Sequence, residues 1–266
     1  MIDIHSHIIP GVDDGSKSIE ESMDMLKCAY DQGIRVVCAT PHLTDTMLDE
    51  SLDTLYDSYI EKLDFLKGKC VEAGMDLKII LGCEVRFQTQ IKELSQYPFS
   101  TFNNNGKYML IEFPMADVPP NSDNVIFEIG ISGIIPIIAH PERNLKILER
   151  PHIMAGMVKY GALTQINAGS VLGIFGKPEY KMSLNLLQKG LVHLVASDAH
   201  NNRRRNFVLR KAYFKLIDIV GKQKAKELIF INPRKVILGE SIEARVEESV
   251  VEESRGFMSK FLGRIR

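Results

Sequence analysis

Seven short apolar or β-branched runs alternate with longer helical patterns along this chain, and that alternation limits its fold more than any other feature. The runs are 2–5, 34–40, 77–83, 108–112, 134–139, 163–167 and 192–197. Helical periodicity fills the gaps over 18–32, 51–73, 121–131, 152–160, 182–189 and 206–219. Near-continuous apolar strands separated by helices predict a parallel sheet covered by helices. Gly33, Gly74, Gly133, Gly161 and Gly190 each stand just before a strand, where helix C-caps belong. No dinucleotide-binding glycine fingerprint follows a strand, so seven βα units favour a closed α/β barrel over an open doubly wound sheet. At 266 residues the chain is expected to bury roughly 70–75% of its extended surface in one large domain. That domain is placed at 1–240. Residues 241–266 read as an appendage, acidic at first and then basic and amphipathic (GFMSKFLGRIR). A plain packed or frayed terminus is its simpler reading, and contact of residues 257–266 with a partner or an anionic surface is the alternative.

Polar, metal-binding side chains fall at the carboxyl ends of these runs. His5 and His7 close the first, two positions apart on an extended segment and therefore on one face. His42 follows the second run in ATPH, Glu84 the third in GCE, and Glu112 closes the fourth in LIEFP. His140 ends the fifth in IIAHPERN, Asp198 and His200 end the seventh in VASDAH, and Asp13-Asp14-Gly15 lies in the first βα loop. Taken singly, most have plain explanations. His42 alone reads as a surface or capping group, Asp14 as a cap for the helix near Ser18, Asp13 as a turn residue, and His152 and His193 as structural. The recurrence at strand ends does not follow from solubility, and in a barrel such positions converge on one rim. Glu112, inside an apolar run, needs a cation or a full set of donors. Imidazoles mixed with carboxylates and no thiolate suit Mn²⁺, Zn²⁺ or Fe²⁺. The set can hold two or three ions, with a glutamate such as Glu84 as the bridge. Such centres hydrolyse: the ions activate water and neutralise charge on the attacking and leaving oxygens.

Positive charge near the rim indicates the substrate class. Arg143 lies three residues after His140, and Arg203-Arg204-Arg205 follow His200 closely. Guanidinium groups clamp phosphoryl oxygens bidentately, which points to a phosphoester rather than an amide or a nucleobase. A salt-bridged helix start is the plain alternative for any one of them. With a net charge of −1, no extended basic groove and no aromatic interleaving, a nucleic-acid partner is not expected. Cys28, Cys38, Cys70 and Cys83 form no CxxC pair, and three lie in apolar runs, so reduced thiols and a cytoplasmic location are expected. None has an arginine six positions on, as a C-x₅-R thiolate phosphatase requires. No uncharged apolar run reaches the roughly 18 residues of a transmembrane helix, and the start lacks the pattern of a cleaved leader.

The motifs MIDIHSHIIPGVDDG, ATPH, GCE, IEFP, IIAHPERN and VASDAHNNRRRNF together resemble a known family. It is the bacterial tyrosine-protein phosphatase family of the polymerase-and-histidinol-phosphatase (PHP) superfamily, associated with capsule and exopolysaccharide synthesis. The resemblance spans residues 1 to about 240. It implies a distorted TIM-like (β/α)₇ barrel, a centre of three ions that are usually Mn²⁺, and dephosphorylation of the tyrosine-rich C-terminal tail of a cognate bacterial tyrosine kinase. Carried over by motif, it implies one ion on His5, His7, Glu84 and Asp198, a second on Glu84, Glu112 and His140, and a third on Asp14, His42 and His200. Arg143 and Arg205 match the phosphate-binding arginines, with the spacing to Asn206-Phe207 selecting Arg205 from the triplet.

The reaction so implied is single-step phosphomonoester hydrolysis without a covalent enzyme intermediate. The ions and both arginines would neutralise the phosphoryl oxygens, and His42 or His200 would help protonate the leaving group indirectly. Two rivals stand beside it. One is a histidinol-phosphate or other small-phosphomonoester phosphatase of the same superfamily. The other is a regulator that holds a phosphotyrosine tail without turning it over.

Overall fold

The computed structural model describes residues 1–44, 46–47, 51–88 and 91–243. Nine strands lie among them: β1 (Ile2–Asp3), β2 (Val36–Ala39), β3 (His42–Leu43), β4 (Lys78–Leu81), β5 (Glu84–Arg86), β6 (Tyr108–Glu112), β7 (Ile135–Ala139), β8 (Leu163–Asn167) and β9 (Leu194–Ala196). Every pairing is parallel, in the orders β1-β2-β4 and β3-β5-β6-β7-β8-β9. Two expected runs are longer than the sequence suggested and broken in the middle. The second continues past Thr40-Pro41 into β3, and the third past Gly82-Cys83 into β5. Pro41 has no N–H to donate, and a Cβ on Gly82 would stand 3.0 Å from the Phe102 ring. Cross-links carry the pairing over the break, from Gly82 N–H to Ala39 O at 2.9 Å and from Glu84 N–H to Pro41 O at 3.0 Å.

The first stave closes the sheet. Ser6 bridges Ala199 in parallel. His7 N–H donates to Ala199 O at 2.7 Å, Asp198 N–H to His5 O at 2.9 Å, and Thr40 N–H to Ser6 O at 2.8 Å. The segment that carries His5 and His7 is thus wedged between the last and second staves. The result is the distorted parallel α/β barrel expected from the sequence.

Helices cover the outside. The first, Ile19–Asp31, starts at Ser18, whose side chain accepts from Glu21 N–H, and it buries Ser22, Met25, Leu26 and Ala29 at helical spacing. The five glycines before strands all have positive φ, between 65° and 93°, as left-handed helix ends require. One expected helix, 182–189, starts five residues early at Lys177, because Pro178 is compatible with a first turn. Another, expected over 206–219, runs over Leu209–Lys226 with a break at Gly221, and the chain turns again into Asn232–Leu238.

Inward-facing positions change character along the barrel axis. On β6 the inward series is Tyr108, Leu110, Glu112; on β8 it is Leu163, Gln165, Asn167; on β9 it is Leu194, Ala196 and then Asp198. The amino end is apolar and is plugged from below by Val236 and Ile237. Tyr108 straps the plug down by donating to Glu240 O at 2.6 Å and accepting from Ile242 N–H at 3.1 Å. Only the carboxyl end is polar, so chemistry is confined to one rim. Of the appendage expected at 241–266, residues from 244 onward lie outside the described residues.

His193 is structural, as its place early in a strand suggested. It is buried, its Nδ1 accepts from Thr164 N–H at 3.1 Å, and its carbonyl accepts from Asn232 Nδ2 at 2.9 Å. Burial, with the nearby Lys224, pushes its pKa down from 6.5 to about 4. Because the folded value lies below the unfolded one, the stabilisation is complete above pH 6.5 and is lost as pH falls toward 4. Its size is on the order of 3 kcal/mol. Urea unfolding of His193→Gln, in chelator, should lose less stability than wild type between pH 7.5 and 5. Equal losses would contradict this account.

Candidate metal centre

Glu84 sits at the centre of the polar rim. Its Oε2 lies 3.2 Å from His5 Nε2, 3.1 Å from His7 Nε2 and 3.3 Å from His42 Nδ1, and its Oε1 lies 2.9 Å from His140 Nε2. Asp198 Oδ1 adds contacts of 3.5 Å to His5 Nε2, 3.7 Å to His7 Nε2 and 3.2 Å to His200 Nδ1. Glu112 closes the adjoining side, 3.7 Å from both His140 Nε2 and His42 Nδ1. Asp14 Oδ1, on the open side, is 3.3 Å from His42 Nε2 and 3.4 Å from His200 Nε2. All nine ligand positions expected from the sequence therefore meet in one cluster. Its atoms form three overlapping groups of suitable spacing: His5, His7 and Glu84; His42, Glu84 and Glu112; and His7, Asp14, His42 and His200. His42 thus faces two groups, and His7 joins the one expected for Asp14, His42 and His200.

The tautomers show why this set needs cations. His7 Nδ1 is 2.7 Å from Asp13 Oδ2, and His5 Nδ1 is 2.9 Å from Gln165 Oε1. The Gln165 orientation follows from its own amide, which donates to Asn167 Oδ1 at 2.9 Å. Both rings donate through Nδ1, so their Nε2 lone pairs face each other at 3.2 Å and converge on a carboxylate oxygen. Glu84 Oε2, Asp198 Oδ1, His42 Nδ1 and Glu112 Oε2 are buried without a hydrogen-bond partner among the described residues. Converging buried lone pairs are repulsive unless positive charge lies among them. Without ions, protons supply that charge. Burial lowers the His7 pKa, but the Asp13 and Glu84 carboxylates on either side of the ring outweigh it and push the value up to about 10. Burial likewise works against ionising Glu84, yet the His5 charge and the surrounding imidazoles hold its carboxyl well below the usual range. Imidazole nitrogens and carboxylate oxygens around shared corners are a donor set for divalent ions, and the residues present fit such ions.

Several supporting residues are not among those that the sequence reading assigns to the site. Asp13, read as a turn residue, orients His7 and also accepts from Gly15 N–H at 2.8 Å. Gly15 is required there, since a Cβ would stand 2.3 Å from His7 O. Gln165 and Asn167 lie two apart on β8, the same spacing that marks His5 and His7, and Asn167 Nδ2 donates to Asp198 Oδ2 at 2.7 Å. Arg143 and Arg205 grip that same oxygen, each at 2.9 Å, whereas Arg203 and Arg204 are exposed. Asp198 is thereby divided: Oδ2 takes three donors while Oδ1 faces the imidazoles. Arg86, half-exposed at the mouth, lies 3.6 Å from Glu112 Oε2. The backbone turns sharply after β7 and β9, with φ of 29° at His140 and 52° at Asp198. Such conformations cost about 1–3 kcal/mol each and concentrate at functional sites.

The comparisons with known proteins agree with this geometry. The family described as capsular polysaccharide synthesis, CpsB/CapC, matches residues 1–238. The chain belongs to this family. It is 38% identical over 224 residues to the tyrosine-protein phosphatase YwqE of Bacillus subtilis (strain 168), covering 84% of this chain and 86% of that one. It is 33% identical over 252 residues to the tyrosine-protein phosphatase CpsB of Streptococcus pneumoniae, covering 91% of this chain and 100% of that one. One solved structure superposes with a TM-score of 0.83 at 35% identity, covering 91% of this chain and 96% of the other. It comes from work on YwqE from Bacillus subtilis and CpsB from Streptococcus pneumoniae, described as unique metal-dependent tyrosine phosphatases. The CpsB/CapC match covers the whole barrel and each strand end that bears a ligand candidate.

The partner of a metal-binding imidazole fixes its tautomer and raises its basicity. Asp13→Asn keeps the shape but removes the charge opposite His7 Nδ1. Calorimetric titration of chelator-stripped protein with Mn²⁺ should show affinity reduced about 10- to 100-fold. Unchanged affinity would mean that Asp13 is only a turn residue.

Proposed function

We propose that this CpsB/CapC family member is a metal-dependent protein-tyrosine phosphatase. It acts on the C-terminal tail of a cognate bacterial tyrosine kinase and so regulates capsule or exopolysaccharide synthesis. The observation that carries the reading is the pair of guanidinium groups on Asp198, at the mouth of a buried imidazole–carboxylate cluster. Three ions, preferably Mn²⁺, would be held by His5, His7, Glu84 and Asp198; by Glu84, Glu112 and His140; and by Asp14, His42 and His200. When bound, divalent ions supply an activated water and neutralise charge on the phosphate.

The chain's own residues do the remainder. Arg143 and Arg205 spend one N–H each on Asp198 and keep others for phosphoryl oxygens, and Arg205 Nε is buried without a partner among the described residues. Asp198 stays ionised despite burial because the charges of His5, His200, His140 and Arg205 hold its pKa low, so both arginines keep a fixed anchor. His42 and His200 flank Asp14, whose side chain is 63% exposed, so this edge is where a proton passes between the cluster and solvent. A phenolate leaving group needs little help from such an acid.

A cysteine nucleophile does not fit. Burial pushes the Cys38, Cys70 and Cys83 thiols up, away from the thiolate, and all four cysteines are unpaired. Free thiols suit the cytoplasm. No helix among the described residues is long and apolar enough to cross a membrane.

Phosphate release from a tyrosine-phosphorylated kinase tail and from histidinol phosphate, compared with and without Mn²⁺, tests this reading. The tail should be preferred, and chelation should abolish turnover of both. A preference for histidinol phosphate would overturn the substrate, and full activity in a His5→Ala, His7→Ala double variant would overturn the mechanism. Arg143→Ala and Arg205→Ala should each lower kcat/KM about 10²- to 10³-fold, the scale of removing one preorganised donor. Near-wild-type kinetics in both variants would remove the arginines from phosphate recognition.

A further inference from the structure

Beyond the phosphate-binding groups, the rim holds an aromatic side chain that the reaction above does not use. The segment 172–176 (Leu-Gly-Ile-Phe-Gly) joins the short helix Ala168–Val171 to the helix Lys177–Gln188. The short helix follows directly on Asn167, whose amide holds Asp198. Arg143 Cζ lies over the Phe175 ring, 5.3 Å from its centroid, while Arg143 Nη1 lies 2.9 Å from Asp198 Oδ2. The distal edge of the ring rests on Gly169, where a Cβ would stand only 2.8 Å from both Cε2 and Cζ. Gly169 is therefore the seat of the ring. Phe175 is half-buried, and its neighbour Ile174 is 46% exposed, so this segment presents apolar surface beside a phosphate-binding guanidinium.

We propose that Phe175, seated on Gly169, is a specificity residue that favours aryl over alkyl phosphoesters, and a positioning residue for Arg143. The proposal rests on the phosphotyrosine reading and deepens it. A cation over an aromatic face is attracted by the ring quadrupole, which narrows the positions open to the Arg143 guanidinium. In an aryl phosphate the substrate ring is bonded directly to the ester oxygen. Phosphate held by Arg143 then brings that ring to the same wall, where offset or edge-to-face contact with Phe175 is favourable. The first methylene of an alkyl phosphate offers no such surface.

The test uses full-length, Mn²⁺-loaded protein and two non-hydrolysable probes, phenylphosphonate and methylphosphonate, titrated by calorimetry. Phe175→Leu should weaken both about 2- to 5-fold through the loosened Arg143. It should also lower the preference for the phenyl probe by a further 3- to 10-fold or so. Phe175→Tyr should restore the preference. Gly169→Ala keeps the phenylalanine but pushes its ring off the seat, so it should reproduce the lost preference, and it stands in if Phe175→Leu fails to fold. Equal weakening of both probes, or an unchanged preference in Phe175→Leu and Gly169→Ala, overturns the specificity assignment. Failure of wild type to hydrolyse a phosphotyrosyl peptide, with the aryl preference intact, would instead reject the proposed substrate and leave the aryl wall standing.

Discussion

The crowding of buried lone pairs around Glu84 Oε2 is the constraint on which the rim depends. Three imidazole nitrogens stand within 3.3 Å of that oxygen, and Asp13 and Gln165 fix the tautomers of two of them. An arrangement of this kind does not persist in a low-dielectric interior without positive charge at its centre. Everything around it serves to keep those atoms converging. The wedged first stave delivers His5 and His7, the interrupted second and third staves deliver His42 and Glu84, and positive-φ corners lie at His140 and Asp198, two more side chains of the cluster. The apolar lower barrel, plugged by Val236 and Ile237, supplies the rigidity that these unfavourable placements require.

Much of the architecture was legible because parallel strands buried on both faces must be apolar throughout. The runs at 108–112 and 163–167 coincide with β6 and β8. The broken staves were not legible, because Pro41 and Gly82 read locally as strand ends, while the continuation depends on cross-strand bonds to residues far away in sequence. The single-turn helix Leu145–Glu149 was also missed. Its cap, Asn144, is fixed by bonds to Pro114 O and Asp117 O, which no local pattern announces. The polar start of Lys177–Gln188 concealed that helix's first turn for a similar reason.

At the centre, the residues that sequence reasoning singled out share a type and a place: histidines and carboxylates recurring at the ends of apolar runs, a pattern that no one of them carries alone. The residues it missed act through orientation. Asp13 looked like a turn residue because it is one, with Gly15 accepting no side chain against His7; its contact with the imidazole is a second use of the same carboxylate. Gln165 and Asn167 carried a readable signal, two amides on alternate positions of a buried strand, which is costly unless both are bonded. Phe175 carried none, since an aromatic in a glycine-rich loop acquires meaning only from what it touches.

The divided carboxylate of Asp198 has a consequence of another kind. One oxygen anchors Arg143, Arg205 and Asn167 while the other faces the imidazoles, so on the proposed reading the same side chain would belong both to the grip on phosphate and to the grip on cations. Two equilibria that share a component are thermodynamically linked, and the linkage is reciprocal. Whatever factor cation loading contributes to anion affinity, a bound anion returns to cation affinity. On the proposed reading, an anion left at the arginines would bias the retention of the ions through this one residue, so product affinity and metal affinity would have to be measured together.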